Sequence, residues 1–199
     1  MITYGGTWVT QAFGVPSLND IAVAAMRIPR FCGSGGMWWP VGMHLLLVAD
    51  LVPPELEADA LLHDAAEVCV NDIPSPMKTR SQRALEHRIM RRIYANLGLR
   101  MPTPDQEAVI KCADIRALNI EGCADTGPRG FGDIQPCIVS DIEGVKAFRV
   151  YLDMWNPTDA LNANGYWPNV LEKRLRRAVT RLHRELNATK STQTHRKCL

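Results

Sequence analysis

The sequence predicts an all-α fold, and three observations predict it. Apolar residues recur at helical spacing in one segment after another. Those segments open on Ser or Thr caps and close on Pro or Gly clusters. Sustained strand alternation is absent, apart from a candidate short pair between Thr7 and Phe13.

The elements follow in order. Ser17 caps a helix from Leu18 to about Arg27, with Ile21, Ala24, Ala25 and Ile28 along one stripe. A Gly-rich loop, Phe31-Cys32-Gly33-Ser34-Gly35-Gly36, leads through Met37-Trp38-Trp39-Pro40 into a second helix over Val41–Leu51. Pro53-Pro54 closes that helix and sets Pro54 in the first turn of a third, Glu55 to about Val70. The run Asn71-Asp72-Ile73-Pro74-Ser75-Pro76 forces an extended turn, because each proline disfavours helix in the residue before it. Residues 79–97 carry Leu85, Ile89, Ile93 and Leu97 at helical spacing. Thr103-Pro104-Asp105-Gln106 is a capping-box start for a helix running to about Glu121. Residues 122–137 read as a long loop, with further helices over about 140–154 and 168–187. The expected organisation is one compact domain over residues 1–187 and a polar, frayed tail over 188–199.

Composition narrows the function. The 199 residues suffice for one hydrophobic core, and 46% apolar with 22% charged residues is the balance of an ordinary globular chain. A net charge of +2 argues against a polycation built to coat nucleic acid. No run of about 18 apolar residues suggests a membrane span, and no basic-then-apolar leader opens the chain. The six cysteines form no Cys-x-x-Cys pair, and Cys69 and Cys112 read as reduced core residues, which fits a cytoplasmic protein.

The chemistry concentrates in Leu61-Leu62-His63-Asp64-Ala65-Ala66-Glu67. A His-Asp pair in an apolar helix is costly to bury unless its charge is compensated. A divalent ion compensates it, since imidazole and carboxylate are both suitable ligands. Taken alone, the pair is more often a hydrogen-bonded core pair. His44, isolated among apolar residues of the preceding helix, and Asp114, in Val109–Leu118, shift that balance. Two histidines and two aspartates from three helices make a coherent ligand set, since bundles commonly build metal sites from facing helices. Glu67 lies four residues after His63 on the same helical face, and Asp72 follows at the helix end.

The order His44…His63-Asp64…Asp114 resembles the HD superfamily of metal-dependent phosphohydrolases. His63-Asp64-Ala65-Ala66-Glu67 followed by Asp72-Ile73-Pro74-Ser75-Pro76-Met77-Lys78 is similar to its small deoxynucleotide-hydrolysing branch, which includes bacterial 5′-deoxynucleotidases and bacteriophage dATP triphosphohydrolases. Arg30-Phe31, the Gly-rich loop and Leu51-Val52-Pro53-Pro54-Glu55 look like the phage members. The resemblance covers about residues 15–120 and departs at Ser34 and Met43, where relatives often carry His and Glu or Gln.

The resemblance implies a compact helical HD domain with its metal site between helices. His44, His63, Asp64 and Asp114 would hold a divalent ion (Zn, Co, Mn or Mg), with room for more than one ion per subunit. Glu67 and Asp72 would orient the attacking water or hold a second ion, Lys78 and Lys111 would meet phosphates, and Arg30 would position the nucleotide. Gly33, Trp39, Ile73, Pro74 and Ser75 would line the nucleotide site, Trp38 being assigned to packing. The implied reaction is dATP to deoxyadenosine plus triphosphate, depleting dATP in a phage-infected cytoplasm, for instance where 2-aminoadenine replaces adenine. The alternatives are phosphate release from deoxynucleoside monophosphates and a non-catalytic nucleotide- or nucleic-acid-binding module. A homo-oligomer is implied too, with no membrane partner.

Two features lie outside this pattern. Gly33-Ser34-Gly35-Gly36 lacks the Lys-Ser/Thr ending and preceding strand of a P-loop. Lys173, Arg174, Arg176, Arg177, Arg181 and Arg184 form a basic face, read as solvated or as an oligomer contact in preference to a nucleic-acid surface. His87, His183 and His195 are expected to be exposed.

Overall fold

The computed structural model describes residues 1–10, 14–34, 36, 38–126, 142–155 and 165–197, and no strand occurs among them. The fold is all-α. Helix α1 spans Leu18–Ala25, α2 Val41–Asp50, α3 Glu57–Leu62, α4 Glu67–Val70, α5 Arg80–Asn96, α6 Pro104–Thr126, α7 Ile142–Met154 and α8 Tyr166–Lys197. Short 3-10 turns occupy Arg30–Gly33, Pro54–Leu56 and Ser75–Met77. The N-terminal pair expected over Thr7–Phe13 reduces to a single bridge between Ile2 and Trp8, with residues 11–13 outside the described residues.

The caps act as predicted. Ser17 accepts from the Asp20 amide while Asp20 reaches back to the Ser17 amide, a reciprocal box that satisfies two end donors of α1. Thr103 and Gln106 do the same for α6, and Thr79 and Gln82 form a further box at the start of α5 that was not among the expected caps.

Helix α2 is buried on every side, from Val41 through Ala49, so it forms the central rod of the core. It packs against α3 and α6, while α8 lies across α1 and α3. Trp39, Trp167, Tyr94 and Phe148 supply the largest buried side chains. No helix among the described residues is long and apolar enough to cross a membrane.

Three expectations change. The helix expected over Glu55–Val70 is interrupted at His63–Ala66. Helix α6 extends past Glu121 to Thr126, into the predicted loop, and the rest of that loop, 127–137, lies outside the described residues. The backbone from 188 to Lys197 continues α8 where a frayed tail was expected.

The basic face of α8 is partly engaged. Arg174 bonds Glu57 at 2.7 Å and Asp50 at 2.7 Å, Arg181 reaches Glu57 at 2.5 Å, and Arg176 pairs with Glu172 along the helix. His183, expected in solvent, is half-buried and donates from Nε2 to the Leu97 carbonyl at 2.7 Å, tying α8 to the end of α5. His87 is exposed as expected, and the side chain of His195 lies outside the described residues. Among the cysteines, Cys69 is free and half-buried. Cys112, expected in the core, is free and exposed, because its position on α6 faces away from α2. Cys123 is disulfide-bonded, which departs from the reduced chain expected.

Candidate metal centre

The site forms where α2, the α3–α4 junction and α6 meet. Helix α2 delivers His44, fully buried among apolar neighbours. Helix α6 delivers Asp114. The junction delivers His63 and Asp64, and its local geometry shows how. His63 Nδ1 donates to the Ala60 carbonyl at 2.7 Å, while the His63 amide lies 3.5 Å from that same oxygen. The following amides step back only three residues, Ala65 to Leu62 at 2.8 Å and Glu67 to Asp64 at 2.9 Å. The backbone therefore tightens into 3-10 spacing at the His-Asp pair. The side chain competes for an acceptor that a regular helix would give to the backbone.

Both imidazoles are anchored through Nδ1, which leaves Nε2 as the nitrogen that faces the site. A carbonyl only accepts, so His63 Nδ1 carries a proton and donates it. His44 Nδ1 lies 2.9 Å from Glu121 Oε1. Burial alone would raise the Glu121 carboxyl, but Arg30 and then His44 hold it below its ordinary range, so it is ionised and accepts from Nδ1–H. Neither Nε2 has a hydrogen-bond partner, and the rings stand 5.3 Å apart.

Carboxylates gather around these two nitrogens. Asp114 Oδ1 is 3.2 Å from His44 Nε2. Asp64 Oδ2 is 3.2 Å from His63 Nε2 and 3.8 Å from His44 Nε2. One donor atom each from His44, His63 and Asp114 falls within 4.8 Å of the others, and these three residues can hold a metal ion. Tetrahedral coordination at about 2 Å would draw the donors to roughly 3.3 Å apart, a small adjustment. The donor set, two imidazole nitrogens without hydrogen bonds and the carboxylates beside them, fits a divalent cation.

The electrostatics point the same way. Burial would raise Asp64 and Asp114, yet the two histidines hold both well below the carboxylate range, with Lys111 assisting at Asp114. Burial and Arg30 push His44 down, but Glu121 and Asp114 outweigh them and lift it to about 9. A proton and a metal ion compete for that nitrogen. Glu67 is pushed up to about 9 by burial, then by Asp64 and Asp72, with Lys78 and Arg30 opposing. Its Oε2 has no partner.

The remaining predicted residues divide. Lys78 does not stand free for phosphate: it bridges Glu67 at 3.4 Å and Glu86 at 3.0 Å. Lys111 is exposed and pairs with Asp114 at 2.6 Å. Arg30, expected on the nucleotide, is buried and held by Glu121 at 3.2 Å and Asp72 at 3.6 Å. Asp72 also accepts from the Phe31 amide at 3.1 Å, pinning a turn in which Phe31 and Cys32 both adopt left-handed φ near 55°. Gly33 continues that turn at φ 74°, exposed. Ile73 and Pro74 are half-buried, and Ser75 is exposed with its carbonyl on Arg83.

The tryptophans exchange places. Trp39, expected on the substrate, is 1% exposed and packs edge-on against Phe31 and Phe148. Trp38, expected in the core, is 37% exposed against Trp155. The Trp39 carbonyl accepts from the Arg30 amide at 3.0 Å, beside the bridge between Pro29 and Pro40 at the mouth of α2.

Sequence reasoning missed Glu121. Its signal was present: it lies seven residues after Asp114, two helical turns along the same face. The apparent helix end at that residue hid it.

No family model matches the chain. The chain is similar to the uncharacterized protein YfdR of Escherichia coli (strain K12), at 36% identity over 106 residues. The match takes in 52% of this chain and 58% of that protein, so the chain spans little more than half the length of the curated relative it matches.

Proposed function

We propose that the protein is a metal-dependent phosphohydrolase acting on deoxynucleotides, with dATP as substrate and triphosphate as product. The observation that carries this reading is the pair of buried Nε2 atoms of His44 and His63, without a hydrogen bond and each 3.2 Å from a carboxylate, of Asp114 and Asp64 respectively. These four residues would hold the ion. A divalent ion there would lower the pKa of water and polarise a phosphoryl group. If the three donors that lie closest together, His44, His63 and Asp114, held the ion, a fourth tetrahedral position would stay open for water, with Asp64 beside it.

Glu67 is the candidate proton-transfer group. It is buried, with one carboxylate oxygen uncommitted. Its carboxyl, pushed up to about 9 by burial, Asp64 and Asp72, holds a proton at neutral pH. A bound cation would favour the carboxylate, the form that can accept a proton from water. Lys78, on the other oxygen, would exchange its carboxylate partners for phosphate as substrate enters. Lys111 would meet outer phosphates from its exposed position beside Asp114.

One observation favours a second reading, 5′-nucleotidase action on deoxynucleoside monophosphates. Both lysines are already paired with carboxylates, so less positive charge is free for a polyphosphate chain. Incubation with each dNTP and dNMP in Mn²⁺, Co²⁺ or Zn²⁺, followed by chromatography, separates the two. Triphosphate released from dATP supports the first reading. Inorganic phosphate released from dAMP, with dATP intact, replaces it with the second. Metal uptake without turnover on any nucleotide would leave a binding module. A cytoplasmic homo-oligomer is the setting that the sequence resemblance supports.

A further inference from the structure

We propose that Glu121 is a positioning residue that holds His44 in ligand geometry, and that Arg30 serves it by anchoring Glu121 and not by touching substrate. This rests on the metal-centre reading.

The geometry is a single chain of contacts. Helix α6 grips both edges of the His44 ring: Asp114 Oδ1 sits 3.2 Å from Nε2, and Glu121 Oε1 sits 2.9 Å from Nδ1. The two acids are seven residues apart, so one helical face presents both. Glu121 Oε2 then takes Arg30 at 3.2 Å, and Arg30 extends to Asp72 at 3.6 Å. Glu121 and His44 are fully buried, and Arg30 nearly so.

Burying this many charged groups is a poor route to stability, since apolar residues of similar volume often serve as well or better. Orientation explains the arrangement better. A carboxylate on the far nitrogen of a ligating imidazole fixes the tautomer, aims the ring and increases its basicity, and losing such a partner typically costs 10–100-fold in metal affinity. Arg30 has no spare reach for a nucleotide, because its guanidinium is buried between two carboxylates and lies over the Phe31 ring at 4.9 Å.

The test is Zn²⁺ affinity, measured by competition with a chromophoric chelator, for wild type and Glu121→Gln. Glutamine keeps the shape and removes the charge. The expected result is a 10–100-fold weaker affinity in a variant whose metal-free circular dichroism matches wild type. Affinity within twofold of wild type overturns the proposal. Wild type that binds no Zn²⁺ overturns the metal-centre reading instead. Should Glu121→Gln fail to fold, ¹⁵N-histidine NMR of metal-free wild type decides the matter. A low-field proton on His44 Nδ1 supports the proposal, and an unprotonated Nδ1 overturns it.

Discussion

The imidazole rings of His44 and His63 stand 5.3 Å apart at an interplanar angle of 56°, and the Nε2 of each has no hydrogen-bond partner. Each ring is anchored through Nδ1, one by a side-chain carboxylate and the other by a backbone carbonyl. Two different local solutions thus deliver the same nitrogen to the same place.

Zn²⁺ is expected to stabilise the wild-type fold. At 100 times its Kd, a ligand of the folded state alone adds about 2.7 kcal/mol, or roughly 5–10 °C in Tm for a chain of this size. In His63→Ala the shift is expected to vanish, because the junction loses its ring while Ala60 regains an ordinary backbone donor. Calorimetry with and without metal reads this directly. An unchanged shift in the variant would move the ion elsewhere.

Tyr94→Phe is expected to destabilise the protein by about 1–3 kcal/mol, the usual cost of leaving a buried polar group unpaired. Tyr94 donates to Asp59 Oδ1 at 2.8 Å, and both side chains are buried. Burial already pushes the Asp59 carboxyl up, and the tyrosine bond pulls it back. Urea unfolding at neutral pH measures the loss, and it should shrink as the pH is lowered and Asp59 takes up a proton.

Stability is expected to fall in acid partly through Glu57. Burial would raise this carboxyl, but Arg174 and then Arg181 hold it below its ordinary value. A lowered folded-state pKa means the unfolded chain binds the proton more readily. The contribution is therefore complete above the unfolded value near 4.5 and lost as pH drops through the folded one. Glu57→Gln should flatten the pH dependence of stability in that window. A curve parallel to wild type would remove Glu57 from the account.

Trp39→Ala is expected to cost about 3–5 kcal/mol, as for other fully buried aromatics. Trp38→Ala, at the surface, should stay within about 1 kcal/mol of wild type. Chemical denaturation of both variants compares them on one scale. Equal losses would contradict the burial difference between these neighbours.

Much of the fold and of the candidate site is legible in the amino-acid sequence. The Ser17 and Thr103 caps and the all-α class follow from local patterns, because caps and helical periodicity are short-range physics, and His44, His63, Asp64 and Asp114 stand out as candidate ligands by residue type within apolar helices. What the sequence leaves open has one cause. Trp38 and Trp39 are adjacent and chemically alike, so only the packing of Phe31 and Phe148 selects which one is buried. Arg30 carries a charge that suits a nucleotide as well as it suits Glu121 and Asp72, and sequence spacing does not choose between them.

The sequence by itself determined the helices, their starting caps and the identity of the four candidate ligands. These depend on residue type and on neighbours within a turn or two. The tertiary structure alone decided that Glu121 stands behind His44, that Arg30 is enclosed between carboxylates, and that the His63–Ala66 backbone tightens to turn a ring inward. The first two depend on which surfaces meet when α6 packs against α2 and the Arg30 turn, at separations of up to 91 residues along the chain; the third is a local bond from His63 Nδ1 to the Ala60 carbonyl. Pairings at that range are set by burial and by the need to satisfy buried charge, and neither leaves a local mark in the sequence.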